Sequence, residues 1–467
     1  MPTRSILSAT FAIALKTATA FAVALPLLTA TPTVATAQKG VSIVRDAEIE
    51  ALVRDYARPI FKAAGLSSSG IDIVLVNDSS FNAFVAGRRL FINTGALMTS
   101  ETPNEIIGVI AHEAGHLAGG HQHRLREQLE RAQTMAVVAT LLGMGAAAAG
   151  AAMNSSGAAQ AGTGLAMAGG EMAKRGLLGY QRTEENTADR SALTYLKATG
   201  QSAKGMLITF KRFESALALS GTHVDPYQVS HPMPRERIAN LQTLAEASPY
   251  FDKVDPPALQ ARHDMARVKI AVYTEGQAAA ARLMRKDPSG LAAQYGSALG
   301  ALLYGSPRSA LAKADALIKT NRRNPYFQEL RGDILMKSNR PAEAAEAYSE
   351  AVRLDPAKSG ILQVSLGQAL LATGKPDSLR KAVETINKGL AHDRENIGAY
   401  RYLAQAYGQL GEVGEAELAT AEGYYYSGVY LDAKIFAARA QQKLKRGSPG
   451  WVRAQDIINY KQPGRKK

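Results

Sequence analysis

The stretch His112-Glu113-Ala114-Gly115-His116 decides how the rest of this chain reads. Two histidines four residues apart share one face of a helix, one turn from each other. They are close enough to hold a single divalent ion, and Glu113, about 100° round the same helix, can reach a water on that ion. The ion suited to this donor set is Zn2+, one per chain, with His112 and His116 as ligands and Glu113 as general base in peptide-bond hydrolysis. Such a string arises by chance in about one chain of this length in a hundred.

The flanking residues predict the helix. Thr102 can cap it, Pro103 suits the first helical position, and Ile106, Ile107, Ile110, Ala114 and Leu117 supply an apolar face. Gly119-Gly120 offers a stop. Upstream, residues 43 to 64 read as an amphipathic helix with Ile49, Leu52, Val53, Tyr56 and Ile60 on one stripe. Ile71 to Val76 is a β-branched run that reads as a strand. A short apolar stretch follows around Phe81 to Val85, then Gly87, then a further strand over Arg89, Leu90, Phe91, Ile92 and Asn93. A small sheet therefore precedes the motif, and this last strand is a candidate edge for main-chain pairing with an extended substrate.

Zinc needs a third protein ligand. A histidine-rich extension would require Gly119, which is present, and a histidine at position 122, where the chain has Gln122. His121 and His123 flank that position without its spacing and read as exposed helix-end residues. The alternative is a carboxylate from Glu185-Asn186-Thr187-Ala188-Asp189. Glu185 and Asp189 share a helix face, so one could bind zinc while the other accepts a hydrogen bond from a ligand histidine and sets its tautomer.

Between the two motifs, residues 133 to 170 are mostly Ala, Gly, Met and Ser, and Met135 to Met153 carries no charge. Many glycines and alanines favour a mobile or buried helical hairpin near the active site; a membrane-contacting or spanning segment is the other reading. Helices are expected at 180 to 200, 204 to 219 and 235 to 247, with Pro256-Pro257 marking a linker. Beyond it alanines and aromatics recur with a period near 34, the tetratricopeptide length. In the best unit, Pro325 to Pro356, Gly332, Ala344, Tyr348 and Ala351 fall where two antiparallel helices need small residues and a ring at their crossing. Ala310 precedes Ala344 by one period, while Ala382 and Ala416 follow after an insertion near Lys375-Pro376-Asp377.

Taken together, His112-Glu113-x-x-His116, Glu185-x-x-Ala188-Asp189-Arg190, Asn82-Ala83-Phe84 with Gly87, and Ser230-His231-Pro232-x-Pro234 resemble the zinc metallopeptidases of the HtpX and CAAX-prenyl-protease type, metallopeptidase family forty-eight. More closely, the layout is similar to the periplasmic BepA-type members, which join that domain to C-terminal tetratricopeptide (TPR) repeats. The resemblance implies an α+β, mainly helical fold: a gluzincin-type peptidase domain with a small sheet, then an α-solenoid. It implies Glu185 as third ligand, Asp189 as the residue that holds a ligand histidine, and His231 as a fourth ligand that can restrain the enzyme. Thr187 departs from the family pattern, which bears on local packing only. The expected layout is a signal peptide over 1–37, the peptidase domain over 38–250, a linker with first helices over 251–290, repeats over 291–445 and a basic tail over 446–467.

Composition agrees with an exported globular protein. Hydrophobic residues make up 46% and charged residues 21%, which excludes wholesale disorder. The first 37 residues carry only Arg4 and Lys16 as charges, are apolar from Phe11 to Leu28, and end in Ala35-Thr36-Ala37, the pattern of a signal peptide cleaved after Ala37. No cysteine is present, so the chain is neither disulfide-stapled nor a lipoprotein, and a periplasmic location is expected. The net charge of +14 is spread along the chain without an Arg-rich helix or a basic strip interleaved with aromatics, which argues against nucleic acid. It leaves peripheral membrane contact open. The expected partners are polypeptide substrates and an envelope assembly protein docked on the repeats. The expected activity is cleavage of unfolded or misassembled envelope proteins. A repeat-based chaperone or adaptor with a shut zinc site is the alternative.

Overall fold

The computed structural model describes residues 42–66, 70–153, 155–220, 231 and 235–462. The expected signal peptide lies outside these residues, as do Ser230, Pro232 and Pro234.

The order of elements puts a four-stranded sheet ahead of the motif helix. Strand β1 (Ile43–Val44) leads into α1 (Ala47–Ala63), then β2 (Asp72–Val76), β3 (Ala83–Ala86) and β4 (Arg89–Asn93). The short α2 (Thr94–Thr99) precedes α3 (Pro103–Gly119), which carries the metal motif. The expected helix over 43–64 thus starts later, because Ile43 and Val44 pair with Val76 and Leu75 and Asp46 caps α1 through the Ile49 amide. Its predicted stripe is buried, Ile49, Leu52, Val53, Tyr56 and Ile60 each being at most 2% exposed.

The strand order is β1-β2-β4-β3. The parallel register Asp72↔Arg89 to Val76↔Asn93 makes β4 an interior strand, with β3 antiparallel on its other side. The expectation that Arg89, Leu90, Phe91, Ile92 and Asn93 form a substrate edge is therefore corrected: both hydrogen-bonding edges of β4 are taken, and the edges of the sheet are β1 and β3. Sequence order misled because the last strand of the sheet in the chain crosses back between the two before it. The tight turn from β3 to β4 needs Gly87 at a φ of 61°.

After α3 the chain makes a helical hairpin of α4 (His121–Ala152) and α5 (Ser156–Ala198), followed by α6 (Lys204–Ser220) and α7 (Arg235–Glu246). The hairpin was expected as mobile or buried; its described distal side chains are mostly exposed. Helix α5 is continuous through the predicted separate helix at 180, since nothing between Gly179 and Glu185 breaks it.

Helix α8 (Pro257–Thr274) corrects the linker. Its Ala266 and Ile270 belong to the peptidase core, and His263 lies fully buried with Nδ1 3.0 Å from the Tyr56 hydroxyl and Nε2 2.9 Å from the Ser100 carbonyl. The solenoid then proceeds through α9 (Gln277–Leu283), α10 (Leu291–Tyr304), α11 (Pro307–Thr320), α12 (Pro325–Lys337), α13 (Pro341–Leu354), α14 (Gly360–Ala372), α15 (Pro376–His392), α16 (Ile397–Gln409), α17 (Val413–Tyr426), α18 (Tyr430–Lys443) and α19 (Pro449–Asn459). A Cβ on Gly332 would sit 2.6 Å from the Tyr348 ring, which is why this crossing demands glycine against tyrosine. The insertion near Lys375 lengthens α15 to 17 residues, against 14 for α13. The expected tail contains α19, whose Ala454 and Ile457 pack into the last hairpin.

The repeats close onto the front of the peptidase domain. Lys269 Nζ lies 2.7 Å from Asp46 and 3.3 Å from Glu48, and the Tyr295 hydroxyl donates to Glu48 Oε2 at 2.8 Å. Arg45 makes a two-pronged pair with Asp393 at 3.1 and 2.8 Å.

Candidate active site

Helix α3 is anchored at its start. Thr102 and Glu105 form a reciprocal capping box, and Arg212 of α6 donates to Glu105 Oε2 at 2.6 Å. From Pro103 to His116 every residue is buried, which fixes the rotation of the helix and hence the direction of the motif side chains. The motif's central glycine sets its distance from α5: a Cβ on Gly115 would lie 2.9 Å from both Cα and O of Ala188. Ala188 sits between Glu185 and Asp189, so this glycine-on-alanine contact brings both carboxylates against the histidines.

The resulting cluster is His112, His116, Glu185 and His231, all buried, with one donor atom from each inside a 4.8 Å span. His112 Nε2 lies 3.0 Å from His116 Nε2 and 3.3 Å from His231 Nδ1. Glu185 oxygens lie 3.3 Å from His112 Nε2 and from His116 Nε2, and 3.0 Å from His231 Nδ1. A tetrahedron of donors about 2.05 Å from a central zinc has edges of about 3.3 Å. The spacings match that edge, and two imidazole nitrogens approach to 3.0 Å, where their lone pairs repel unless a hydrogen or a cation lies between them. The residues present therefore fit a tetrahedral metal.

Each histidine is held from behind. His112 Nδ1 is 3.0 Å from Asp189 Oδ1; a carboxylate only accepts, so Nδ1 carries the hydrogen and Nε2 keeps a lone pair for the cluster. His116 Nδ1 lies 2.8 Å from His121 Nδ1, and His121 Nε2 lies 2.7 Å from Glu184, which also accepts from Arg124 at 2.8 Å. His121, expected to be exposed, is thus 4% exposed and supports a cluster histidine, because Gly120 in the left-handed conformation turns the chain and folds the first residue of α4 back. His123 points outward, at 81% side-chain exposure. Thr187 is exposed and donates to the Thr183 carbonyl of its own helix.

Sequence reasoning missed Arg237. From α7 it donates to both oxygens of Asp189, at 2.5 and 2.8 Å, and lies 2.9 Å from Glu185 Oε2. It is 4% exposed and neutralises a pocket into which three carboxylates converge. Its only sequence signal is position, six residues past His231 at the start of a helix.

Glu113 stands apart from the donors. It is 1% exposed, neither carboxylate oxygen has a hydrogen-bond partner among the described residues, and His231 Nε2 is 3.5 Å from Oε1. Burial pushes its carboxyl up to about 7, against the pull of His116 and His112. A carboxyl poised there can take and return a proton near neutral pH. Burial also disfavours the charged Glu185, but its hydrogen bonds with His112, His116 and His231 outweigh that and hold it well below the usual carboxylate range. Burial lowers His231, so it stays a neutral donor.

Comparison with known proteins agrees with this geometry. Peptidase family M48 matches residues 44–245, and a tetratricopeptide repeat family matches residues 304–359. The chain is 23% identical over 390 residues to the beta-barrel assembly-enhancing protease of Escherichia coli strain K12, covering 80% of this chain and 75% of that one. It is 24% identical over 392 residues to the protein of the same name from Yersinia pestis, with the same coverage. The chain is therefore a metalloprotease with a peptidase family M48 domain joined to tetratricopeptide repeats, homologous to the beta-barrel assembly-enhancing proteases.

Proposed function

We propose that the chain is a zinc-dependent endopeptidase of the periplasm that cleaves unfolded or misassembled envelope polypeptides during outer-membrane protein assembly. The observation that carries this reading is a buried Glu113 carboxyl, without a hydrogen-bond partner among the described residues, beside a set of four donors at tetrahedral spacings. His112, His116 and Glu185 would hold the ion. Zinc bound there would supply a Lewis acid for the scissile carbonyl and the attacking water. Glu113 takes the proton of that water and returns it to the leaving amine, which its raised pKa permits. Asp189 holds His112 in the tautomer that binds, and Arg237 fixes Asp189 and offsets the negative charge.

His231 restrains the enzyme in this reading. As fourth donor it fills the position a substrate carbonyl needs, and its Nε2 stands in front of Glu113. Cleavage requires it to move aside. An extended substrate then finds a strand edge at β3, against which α3 packs. The repeats serve to bind substrate or an assembly partner; a cavity of about 720 Å3 lies between the sheet and the repeats, lined among others by Arg89, Phe91 and Asn396. The names of the relatives support the assembly role.

The test is metal content and casein degradation by the purified protein, beside Glu113→Gln and His231→Ala. About one zinc per chain is expected, with activity abolished in the first variant and raised in the second. Absence of zinc after purification without chelator, together with no cleavage even by His231→Ala, would sink the protease reading in favour of a repeat-based chaperone.

A further inference from the structure

Residues 132 to 170, the distal part of the α4 and α5 hairpin, contain no Asp, Glu, Lys, Arg or His. Such a run on a protein surface would ordinarily be covered. Here the candidate membrane span His121–Ala149 has an apolar window only 6% buried within the chain. Met135, Val137, Leu141, Leu142, Met144 and Met153 are each between 58 and 79% exposed, and Met167 on the facing helix is 75% exposed. On α4 the exposed apolar side chains spread over about half the circumference of the helix, wider than the stripe by which a helix docks on a protein core, and Met167 extends them onto the second arm.

Three features select lipid as that medium. From Arg131 to the α4 end at Ala152 the helix is about 32 Å long, and from Ser156 to Glu171 about 22 Å, at 1.5 Å per residue. The first length matches a hydrocarbon core of about 30 Å, and the second arm reaches about three quarters of the way across it. Second, both arms are helical, so main-chain groups pair within each arm, and the hydroxyls of Thr134 and Thr140 donate to the carbonyls of Glu130 and Ala136 on their own helix. Third, charge begins where the apolar run ends. Arg126 and Arg131 on α4 and Lys174 and Arg175 on α5 are exposed at the base, interspersed with Glu127, Glu130 and Glu171, in a chain of net charge +14. Long cationic side chains at that level reach the headgroups, and the basic excess favours an anionic leaflet.

We propose that this hairpin inserts tip-first into a lipid bilayer and tethers the peptidase domain to an anionic membrane surface. The abundant small residues let the two arms pack closely inside lipid, where no hydrophobic drive holds them together.

The test uses the purified protein in flotation with vesicles of phosphatidylethanolamine and phosphatidylglycerol, and with vesicles of phosphatidylcholine alone. The protein is expected to float with both and more fully with the anionic set. Leu141→Glu with Leu142→Glu should lower binding by about a hundredfold or more. Because the chain lacks cysteine, Leu142→Cys carrying an environment-sensitive dye gives a second readout that needs no disruptive substitution. Its emission should shift to the blue on adding vesicles, whereas a dye at Arg322→Cys on the repeats should not respond. Flotation with neither vesicle, or flotation indifferent to the paired glutamates, overturns the proposal. So does a dye at position 142 that is already shielded in lipid-free dimers, which would make a second copy of the chain the occupant.

Discussion

Replacing Asp189 by asparagine keeps the shape of the side chain but leaves its hydrogen bonds unsatisfiable. In the native arrangement Oδ1 accepts from His112 Nδ1 and Arg237 Nη2, while Oδ2 accepts from Arg237 Nε. Arginine only donates. If the amide nitrogen takes the Oδ2 position it faces Arg237 Nε–H, donor against donor. If it takes the Oδ1 position it faces Arg237 Nη2–H and also forces His112 to accept at Nδ1, which moves the imidazole hydrogen to Nε2, where the metal binds. One buried donor is left unmatched either way, worth about 1–3 kcal/mol. That cost falls on the fold; metal binding weakens because the neutral amide no longer holds the His112 Nδ1 hydrogen as a carboxylate does, and the loss expected on removing the residue behind a ligand histidine is about 10- to 100-fold. Competition against a fluorescent zinc chelator reads this directly, with Thr187→Ala, exposed on the same helix, as the control. Zinc affinity of Asp189→Asn within twofold of the parent would refute the argument that Asp189 sets the His112 tautomer.

Gly115→Ala should lose about 2 kcal/mol or more in urea denaturation, and with it metal binding, because the new methyl meets the backbone of Ala188, which cannot rotate away. A stability unchanged within error would mean α3 and α5 can part without consequence. Lys269→Ala should cost about 3–5 kcal/mol, since Glu48 then remains buried without its cation; Lys269→Met with Glu48→Gln should recover most of it. Equal unfolding temperatures for the single and double variants would contradict this. Burial lowers His263 to about 4, so its neutral form stabilises the fold fully above the unfolded value of about 6.5, and the contribution falls away as pH drops from there toward about 4. Between pH 7 and pH 5 this group alone should cost about 2 kcal/mol. His263→Gln should flatten that part of the pH profile, and identical slopes would rule the group out.

Much of the site was legible because helical geometry is local. The i, i+4 spacing places His112 and His116 on one face, and the same rule relates Glu185 to Asp189. What stayed hidden depends on how helices meet. Nothing in the residues around Gly120 says that the chain folds back and buries His121 against His116. Arg237 reaches Asp189 from a helix whose docking is decided by Ile238 and Leu241 in the shared core. The crossover that puts β4 inside the sheet is likewise a tertiary choice, since a strand's sequence carries its burial but not its neighbours. Among the repeats Gly332 and Tyr348 were readable as a pair because their contact lies within one hairpin; the outer units, where Ala416 is only half-buried, carry weaker signals of the same kind. The supposed linker at Pro256 was misread because proline opens a helix as readily as it interrupts one.

The ion cluster of Asp46, Glu48, Lys269 and Tyr295 makes the two halves of the chain poor modules. Residues 46 and 48 begin the peptidase fold, yet the groups that neutralise them arrive more than 220 positions later. A fragment ending before α8 would lose Ala266 and Ile270 from the peptidase core, leave the Tyr56 side of that core uncovered, and open Glu48 to water. Dissection at the apparent domain boundary would therefore yield an unstable catalytic half rather than an unregulated protease. Variation in the repeats reaches the catalytic half through the folding equilibrium itself, with no signal needing to pass between two finished parts.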